Sequence, residues 1–135
     1  MKNRISIISK NINSSDCCGE ILKEDFIIPT IRSYMENYLY NGCLNRKISI
    51  DESGEIKNCP SMKRSYGNIS EKSIFDVAKN ENFQEFWKIN KMQILICKDC
   101  EYRCICTDCR AFISEPENIY SKPSKCSYNP HTLKW

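Results

Sequence analysis

The chain has 135 residues, of which 41% are hydrophobic and ten are cysteine, and its formal net charge is +3. This length fits one ordinary domain, or a small module with an appended arm, and a core of that size is weak unless a metal or a covalent bond supports it. Lysine and arginine are dispersed, with no basic stripe interleaved with aromatic residues, so nucleic-acid binding is not expected.

The beginning of the sequence lacks the features of a secretory signal. The apolar run from Ile5 to Ile8 ends before Lys10, which is too short for the apolar segment of a signal peptide. The apolar residues at 26–28 are interrupted by Pro29 and are far too few to cross a bilayer. We therefore expect a cytoplasmic protein without membrane contact, where clustered cysteines are metal ligands rather than disulfides.

Residues 1–40 are predicted to be an N-terminal arm. A short strand is expected at 5–8 and a polar loop at 11–16, whereas the aromatic-rich segment 30–40 indicates no particular structure. One alternative is that the arm is the remnant of a longer N-terminal region, since a dense cysteine module begins only a few dozen residues after Met1.

The clearest predicted element is a β-hairpin between residues 47 and 59. Apolar and polar residues alternate over 48–51, and Gly54 supplies the positive φ that a tight hairpin turn needs. A hairpin returns its two ends to one place, so Cys43 and Cys59 are expected to share a metal centre.

Two short helices are predicted after the hairpin. The first is capped by Ser73 and continues to Asn80, with Asp76 in its first turn. The second spans 81–89 and carries an apolar stripe typical of core packing. The stripe consists of Phe83, Phe86 and Trp87.

A buried strand end is predicted at 94–96, where three apolar residues lead into Cys97. From Cys97 to Trp135 the chain is predicted to be mostly turns. Together these elements predict an α+β fold with a small hairpin sheet, short helices and irregular cysteine-rich loops.

Seven of the ten cysteines form one ordered pattern with charged and polar spacers, which indicates ligands in turns rather than core thiols. They are Cys43, Cys59, Cys97, Cys100, Cys106, Cys109 and Cys126. The pair Cys97-x2-Cys100 fits zinc as well as iron. Only five residues separate Cys100 from Cys106, against about fifteen to twenty between the knuckles of a zinc ribbon. A compressed run with a distant last ligand favours an iron–sulfur site.

The order C-x10-G-x4-C, then C-x2-C-x5-C, a nearby cysteine and a distal cysteine resembles the SPASM domain. That domain is the auxiliary-cluster module at the C-terminus of many radical SAM peptide-modifying enzymes. The segments 41–51, 57–62 and 106–111 are similar to the SPASM peptide maturases of grasp-with-spasm systems. In those systems the maturase accompanies an ATP-grasp ligase and a ribosomally made precursor peptide. The resemblance covers residues 41–135.

The resemblance implies two 4Fe–4S clusters. The ligands of the first would be Cys43, Cys59 and Cys109, and those of the second Cys97, Cys100, Cys106 and Cys126. Cys18 is the candidate for the eighth ligand, with Cys17 and Cys104 as rivals, unless the first cluster keeps an open iron site for a substrate. One departure from the family pattern is that two residues, rather than three, separate Cys106 from Cys109.

The C-x3-C-x2-C motif of a radical SAM enzyme is absent, because Thr107 stands where Cys100-x3-Cys104 requires its third cysteine. The chain is therefore not expected to cleave S-adenosylmethionine alone, and whether it is an enzyme stays open. Two hypotheses remain. In the first, the chain is the iron–sulfur part of a peptide-maturation system, and its clusters transfer electrons or help to dock the peptide. In the second, it is a non-catalytic peptide- or protein-binding module whose metal site, iron–sulfur or zinc, is purely structural.

Overall fold

A computed structural model of the protein describes residues 18–135. The strand predicted at 5–8, the polar loop at 11–16 and Cys17 lie outside the described residues. The described part contains three short α-helices, one two-stranded sheet and long turns, which confirms the α+β class.

The segment whose structure the sequence left open forms helix α1, Ile31–Leu39. Thr30 caps it, because its side-chain oxygen accepts a hydrogen bond from the backbone N–H of Ser33 at 3.1 Å. No residue of α1 is fully buried. A polar contact ties the helix to the cysteine-rich region, since Asn37 donates to the backbone oxygen of Cys104 at 3.1 Å.

The predicted hairpin is confirmed. Strand β1, Ser49–Ile50, pairs antiparallel with β2, Ile56–Lys57, and Ile50 lies opposite Ile56. One carboxylate oxygen of Asp51 accepts two backbone N–H groups of the turn, at 2.9 and 3.0 Å. Gly54 has a φ of 81°, as the turn prediction required.

The two predicted helices are present, but the second is shorter than expected. Helix α2 spans Ile74–Lys79 with Asp76 in its first turn. Ser73 occupies the N-cap position, yet its side chain makes no capping hydrogen bond, so the predicted cap was wrong in that respect. Helix α3 covers Glu81–Gln84 and continues as a 3₁₀ turn over Glu85–Lys88. Within the described residues, no helix combines the length and apolar character needed to cross a membrane.

The apolar stripe of the second helix packs into the core as predicted, but it divides between two clusters. Phe83 is fully buried with Ile56 of the hairpin, and Trp87 packs against them. Phe86 instead packs against Ile89 and its neighbours in a second cluster that includes Cys97. The stripe therefore connects the hairpin to the start of the cysteine-rich tail.

The strand predicted at 94–96 was wrong, because these residues form a tight turn. Ile96 has φ 68° and ψ −48°, and the N–H of Cys97 donates to the oxygen of Leu95 at 2.7 Å. This geometry is that of the rare γ-turn with positive φ, which is strained for a β-branched residue. From Cys97 onward the described chain has one 3₁₀ turn, Cys97–Asp99, and isolated bridges, which confirms the prediction of a tail made mostly of turns.

Candidate metal centre

Four of the predicted ligands line one cavity, which we call the enclosed site. They are Cys97, Cys100, Cys106 and Cys126. Cys97 and Cys106 are buried and the other two are half-buried. Turns place them: the N–H of Cys100 donates to the oxygen of Cys97 at 3.1 Å, and the N–H of Cys106 donates to the oxygen of Tyr102 at 2.9 Å.

Aromatic rings from three parts of the chain line the same cavity, and we call them the aromatic cover. They are Phe26, Tyr102, Tyr128 and Trp135. Phe26 stacks on Tyr102 with ring centroids 4.5 Å apart and planes within 10°. Tyr128 meets Tyr102 edge-on at 5.4 Å and lies 4.9 Å from Trp135. The cover reduces the contact of the thiols with water, which strengthens electrostatic interactions inside the site.

Burial disfavours the thiolate form at the enclosed site. It raises the pKa values of the thiols of Cys97 and Cys100, and it raises the pKa of Cys106 to about 11. Since the thiolate is the form that binds metal, positive charge near the sulfurs favours loading of the site.

Lys91 supplies positive charge from inside the protein. Its side chain is only 4% exposed, and its Nζ lies 3.0 Å from Oδ1 of Asp108 and 3.8 Å from Sγ of Cys97. Burial opposes the charged form, but the Asp108 carboxylate, followed by the thiolates of Cys106 and Cys97, outweighs it and raises the pKa of Lys91. The ammonium therefore stays charged beside the thiols.

Asp108 is the centre of a buried charge network that also contains Lys91, Arg110 and Asn41. Its carboxylate is 1% exposed. Nη2 of Arg110 donates to it at 2.9 Å, and Nδ2 of Asn41 donates to its other oxygen at 2.9 Å. Arg110 is further anchored by two backbone oxygens, at 2.7 and 2.9 Å. Two cations around one carboxylate leave the network with net positive charge.

The remaining three predicted ligands, Cys43, Cys59 and Cys109, form what we call the hairpin-side site. Burial raises the pKa of the Cys43 thiol, Lys47 and Lys125 lower it, and the thiolates of Cys109 and Cys59 raise it further. The charges of Cys109 and Cys59 therefore act on the Cys43 thiol through space. That Cys43 and Cys59 share a metal centre stays a prediction.

Asn41 connects the hairpin-side site to the charge network. Its Oδ1 accepts the backbone N–H groups of Cys43 and Leu44 at 3.0 and 2.8 Å. Its Nδ2 donates to Asp108, the residue before Cys109. One fully buried side chain thus fixes two ligand-bearing segments that are far apart in sequence.

Cys18, the candidate eighth ligand, is exposed and lies beside Lys125. Its Sγ is 4.0 Å from Nζ of Lys125, the lysine that also acts on Cys43. The backbone N–H of Ile21 donates to the oxygen of Lys125 at 2.9 Å and anchors this segment. The assignment of Cys18 as a ligand stays a prediction.

Cys104, a rival for the eighth ligand, is buried but faces helix α1. A hydrogen bond between its thiol and Tyr34 raises the pKa of that tyrosine. It is not among the residues that line the enclosed site. Cys17, the other rival, lies outside the described residues.

The enclosed site fits an anionic, sulfur-rich group. Its donors are four thiols, and Arg103 lines the cavity beside them. Nη1 of Arg103 donates to the oxygen of Cys100 at 2.9 Å, while its buried Nε–H has no hydrogen-bond partner among residues 18–135. A cluster bearing sulfide and thiolate acceptors would satisfy such a donor. Over residues 18–135, no three side chains among His, Cys, Asp and Glu are grouped to hold a single metal ion.

Residues 43–101 match the family model of the SPASM domain, described as an iron-sulfur cluster-binding domain. The matched segment contains Cys43, Cys59, Cys97 and Cys100, and the other three cysteines of the pattern follow it. No curated protein and no solved structure matches the chain. The match implies iron–sulfur cluster binding by the matched segment.

The sequence interpretation missed the residues around the thiols. Asp108 is one of the two residues between Cys106 and Cys109. An acidic residue so close to two predicted ligands was a signal that could have indicated the charge network. Nothing in the pattern marked Lys91 or Arg103, because isolated basic residues in polar segments usually indicate solvated surface.

Proposed function

We propose that the chain binds two 4Fe–4S clusters and serves as the iron–sulfur component of a system that matures a ribosomally synthesised peptide together with an ATP-grasp ligase. The observation that carries the proposal is the enclosed site, where four thiols, a buried lysine and an unpaired arginine donor line one cavity. The family match supports the cluster, and the sequence resemblance supports the peptide-maturation context.

The residues that would hold the clusters form two sets. The enclosed site would bind one cluster through Cys97, Cys100, Cys106 and Cys126. The hairpin-side site would bind the other through Cys43, Cys59 and Cys109, with Cys18 as the fourth ligand. Once bound, such clusters supply one-electron transfer. The aromatic cover limits the access of water to the enclosed site, and Lys91 balances thiolate charge there.

Metal analysis of the anaerobically purified protein tests the cofactor. Two clusters give about eight irons and eight sulfides per chain. Cys106→Ser is expected to remove about half of the iron, because it deletes a ligand of the enclosed site. Cys104→Ser is the matched control and should retain the full content, since this buried thiol faces Tyr34 instead. Zinc without sulfide would contradict the proposal and leave the purely structural alternative.

A reconstitution experiment tests the peptide-maturation role. An ATP-grasp ligase and a precursor peptide from the same genome are incubated with ATP, with and without the cluster-loaded chain, and the peptide mass is followed. We expect the chain to bind the ligase or the peptide and to be required for the complete set of mass changes. A fully loaded chain that binds neither and changes nothing would refute this part while leaving cluster binding intact.

A further inference from the structure

Lys91 is the one cation of the buried charge network that contacts a thiol of the enclosed site. It is pinned between the carboxylate of Asp108 at 3.0 Å and the sulfur of Cys97 at 3.8 Å. The backbone of Lys91 belongs to the loop that precedes the strained turn at Ile96, which leads into Cys97. Its carbonyl oxygen accepts the N–H of Ile94 within that loop.

We propose that Lys91 is a positioning residue of the enclosed site, whose ammonium group donates a hydrogen bond to the sulfur of Cys97 and thereby favours the reduced state of a cluster held there. The inference rests on the proposed function. Beyond that function, it assigns to Lys91, which is not a cluster ligand, an influence on the reduction potential of the cluster.

The physical basis is charge balance in a dry environment. Reduction by an external one-electron donor adds one negative charge to the cluster and its thiolates, and a fixed ammonium nearby stabilises that added charge. Hydrogen bonds to ligand sulfurs and the surrounding charge are known to set cluster potentials. The effect is large at this position because Lys91 is buried and is screened very little by salt.

The hairpin-side site has no equivalent among the contacts described. The lysines that act on Cys43 are Lys47, which is exposed, and Lys125, which is half-buried. Solvent screens such charges, so their influence on a cluster is weaker. The effect of Lys91 should therefore be confined to one of two reduction steps.

The test is an anaerobic redox titration with dithionite, followed by electron paramagnetic resonance, on Lys91→Met, Lys91→Gln and Lys91→Arg. The control is Lys98→Met, which removes the same charge from an exposed position beside Cys97. We expect the equilibrium constant for one of the two reduction steps to fall at least tenfold in the Met and Gln variants. This fall corresponds to a midpoint about 59 mV more negative. Lys91→Arg keeps the charge, so its equilibrium constants should stay close to those of the wild-type protein. Lys98→Met should change the equilibrium constant of either step less than threefold.

The outcomes separate this inference from the proposed function. If the Met or Gln variant keeps its iron and sulfide but shifts no more than Lys98→Met, the role of Lys91 is refuted and cluster binding stands. A loaded wild-type protein whose clusters accept no electron also refutes it. If the wild-type protein holds no iron and sulfide, the proposed function itself fails. In both the Met and the Gln variant Asp108 keeps Arg110 and Asn41 as hydrogen-bond partners.

Discussion

The enclosed site and the hairpin-side site use the same ligand type but are assembled in different ways. The enclosed site gathers four thiols from residues 97–126, with rings covering the cavity and a buried cation against one sulfur. The hairpin-side site would draw its three thiols from residues 43, 59 and 109, whose charges influence one another, and the fourth candidate is an exposed cysteine. Local turns therefore build the first site, whereas the second depends on long-range polar contacts.

Those long-range contacts converge on Asp108 and Asn41. Asn41 holds the backbone of Cys43 and donates to Asp108 across a separation of 67 residues. Asp108 also pairs with Lys91, which reaches the enclosed site. The comparison teaches that one carboxylate is linked to both sites, so its loss should affect both, whereas a change elsewhere should affect one site more than the other.

The largest effect is expected for Asp108→Ala. The change leaves Lys91 and Arg110 buried without their counter-charge, which costs about 3–5 kcal/mol for a broken buried pair. It also removes the contact of Asn41 that aligns Cys43 with the segment of Cys109. We expect both sites to lose iron, measured as iron and sulfide per chain after anaerobic purification.

Asp99→Ala is the matched control for that experiment. Asp99 stands directly before Cys100, as Asp108 stands before Cys109, but its side chain is exposed. The control should keep its full iron content. If Asp108→Ala instead lost iron from only one site, the two sites would be structurally independent. The claim that Asp108 connects them would then be refuted.

The hairpin, the turn-rich tail and the thiol pattern were predictable because they rest on local sequence. Gly54 and the alternation at 48–51 define the turn and strands within a dozen residues. The charge network was not predictable, since Lys91, Asp108 and Asn41 meet only after folding and have no common sequence spacing. The strand predicted at 94–96 failed for a related reason: residues 18–135 contain no strand that pairs with it, and the chain turns at Ile96 to deliver Cys97.

Cys18→Ser tests whether Cys18 is the fourth ligand of the hairpin-side site. We expect a loss of at least one iron per chain and a three-iron signal in electron paramagnetic resonance after oxidation. The enclosed cluster should be unaffected, because Cys18 neighbours Lys125 and is not among the residues lining that cavity. Unchanged iron and spectra would instead favour an open iron site, the alternative that leaves room for a substrate.

A smaller effect is expected at the turn that delivers Cys97 to the enclosed site. Ile96 holds a positive φ, and such strain costs on the order of 1–3 kcal/mol, which glycine would relieve at an entropic cost of about 0.5–1 kcal/mol. We expect Ile96→Gly to keep or raise the midpoint of anaerobic thermal unfolding. Leu95→Gly is the control, because Leu95 is similarly exposed, at 46% against 42%, but is not among the residues with positive φ.

The difference between the two glycine variants measures the strain directly. Leu95→Gly should lower the free energy of unfolding by about 0.5–1 kcal/mol, as glycine does at ordinary backbone positions. Equal destabilisation by both changes would show that the turn at Ile96 is unstrained, and the enclosed site would then be no more costly to form than the hairpin-side site.

The smallest effect is expected at the hairpin that supports the other site. Hydrogen bonding to Lys57 and then to the backbone N–H of Glu55 lowers the pKa of Asp51 below its usual 3.8. A carboxylate whose pKa is lower in the folded than in the unfolded state stabilises the fold at pH values above its unfolded pKa. This stabilisation is lost as the pH falls through the folded pKa. Asp51→Asn should therefore slightly lower the thermal midpoint at pH 7, and the difference from wild type should shrink below about pH 4. Glu52→Gln, which removes an exposed carboxylate next to it, should show a smaller difference with no such convergence. If the two variants behaved alike, the Asp51–Lys57 pair would have no part in holding Cys43 and Cys59 together.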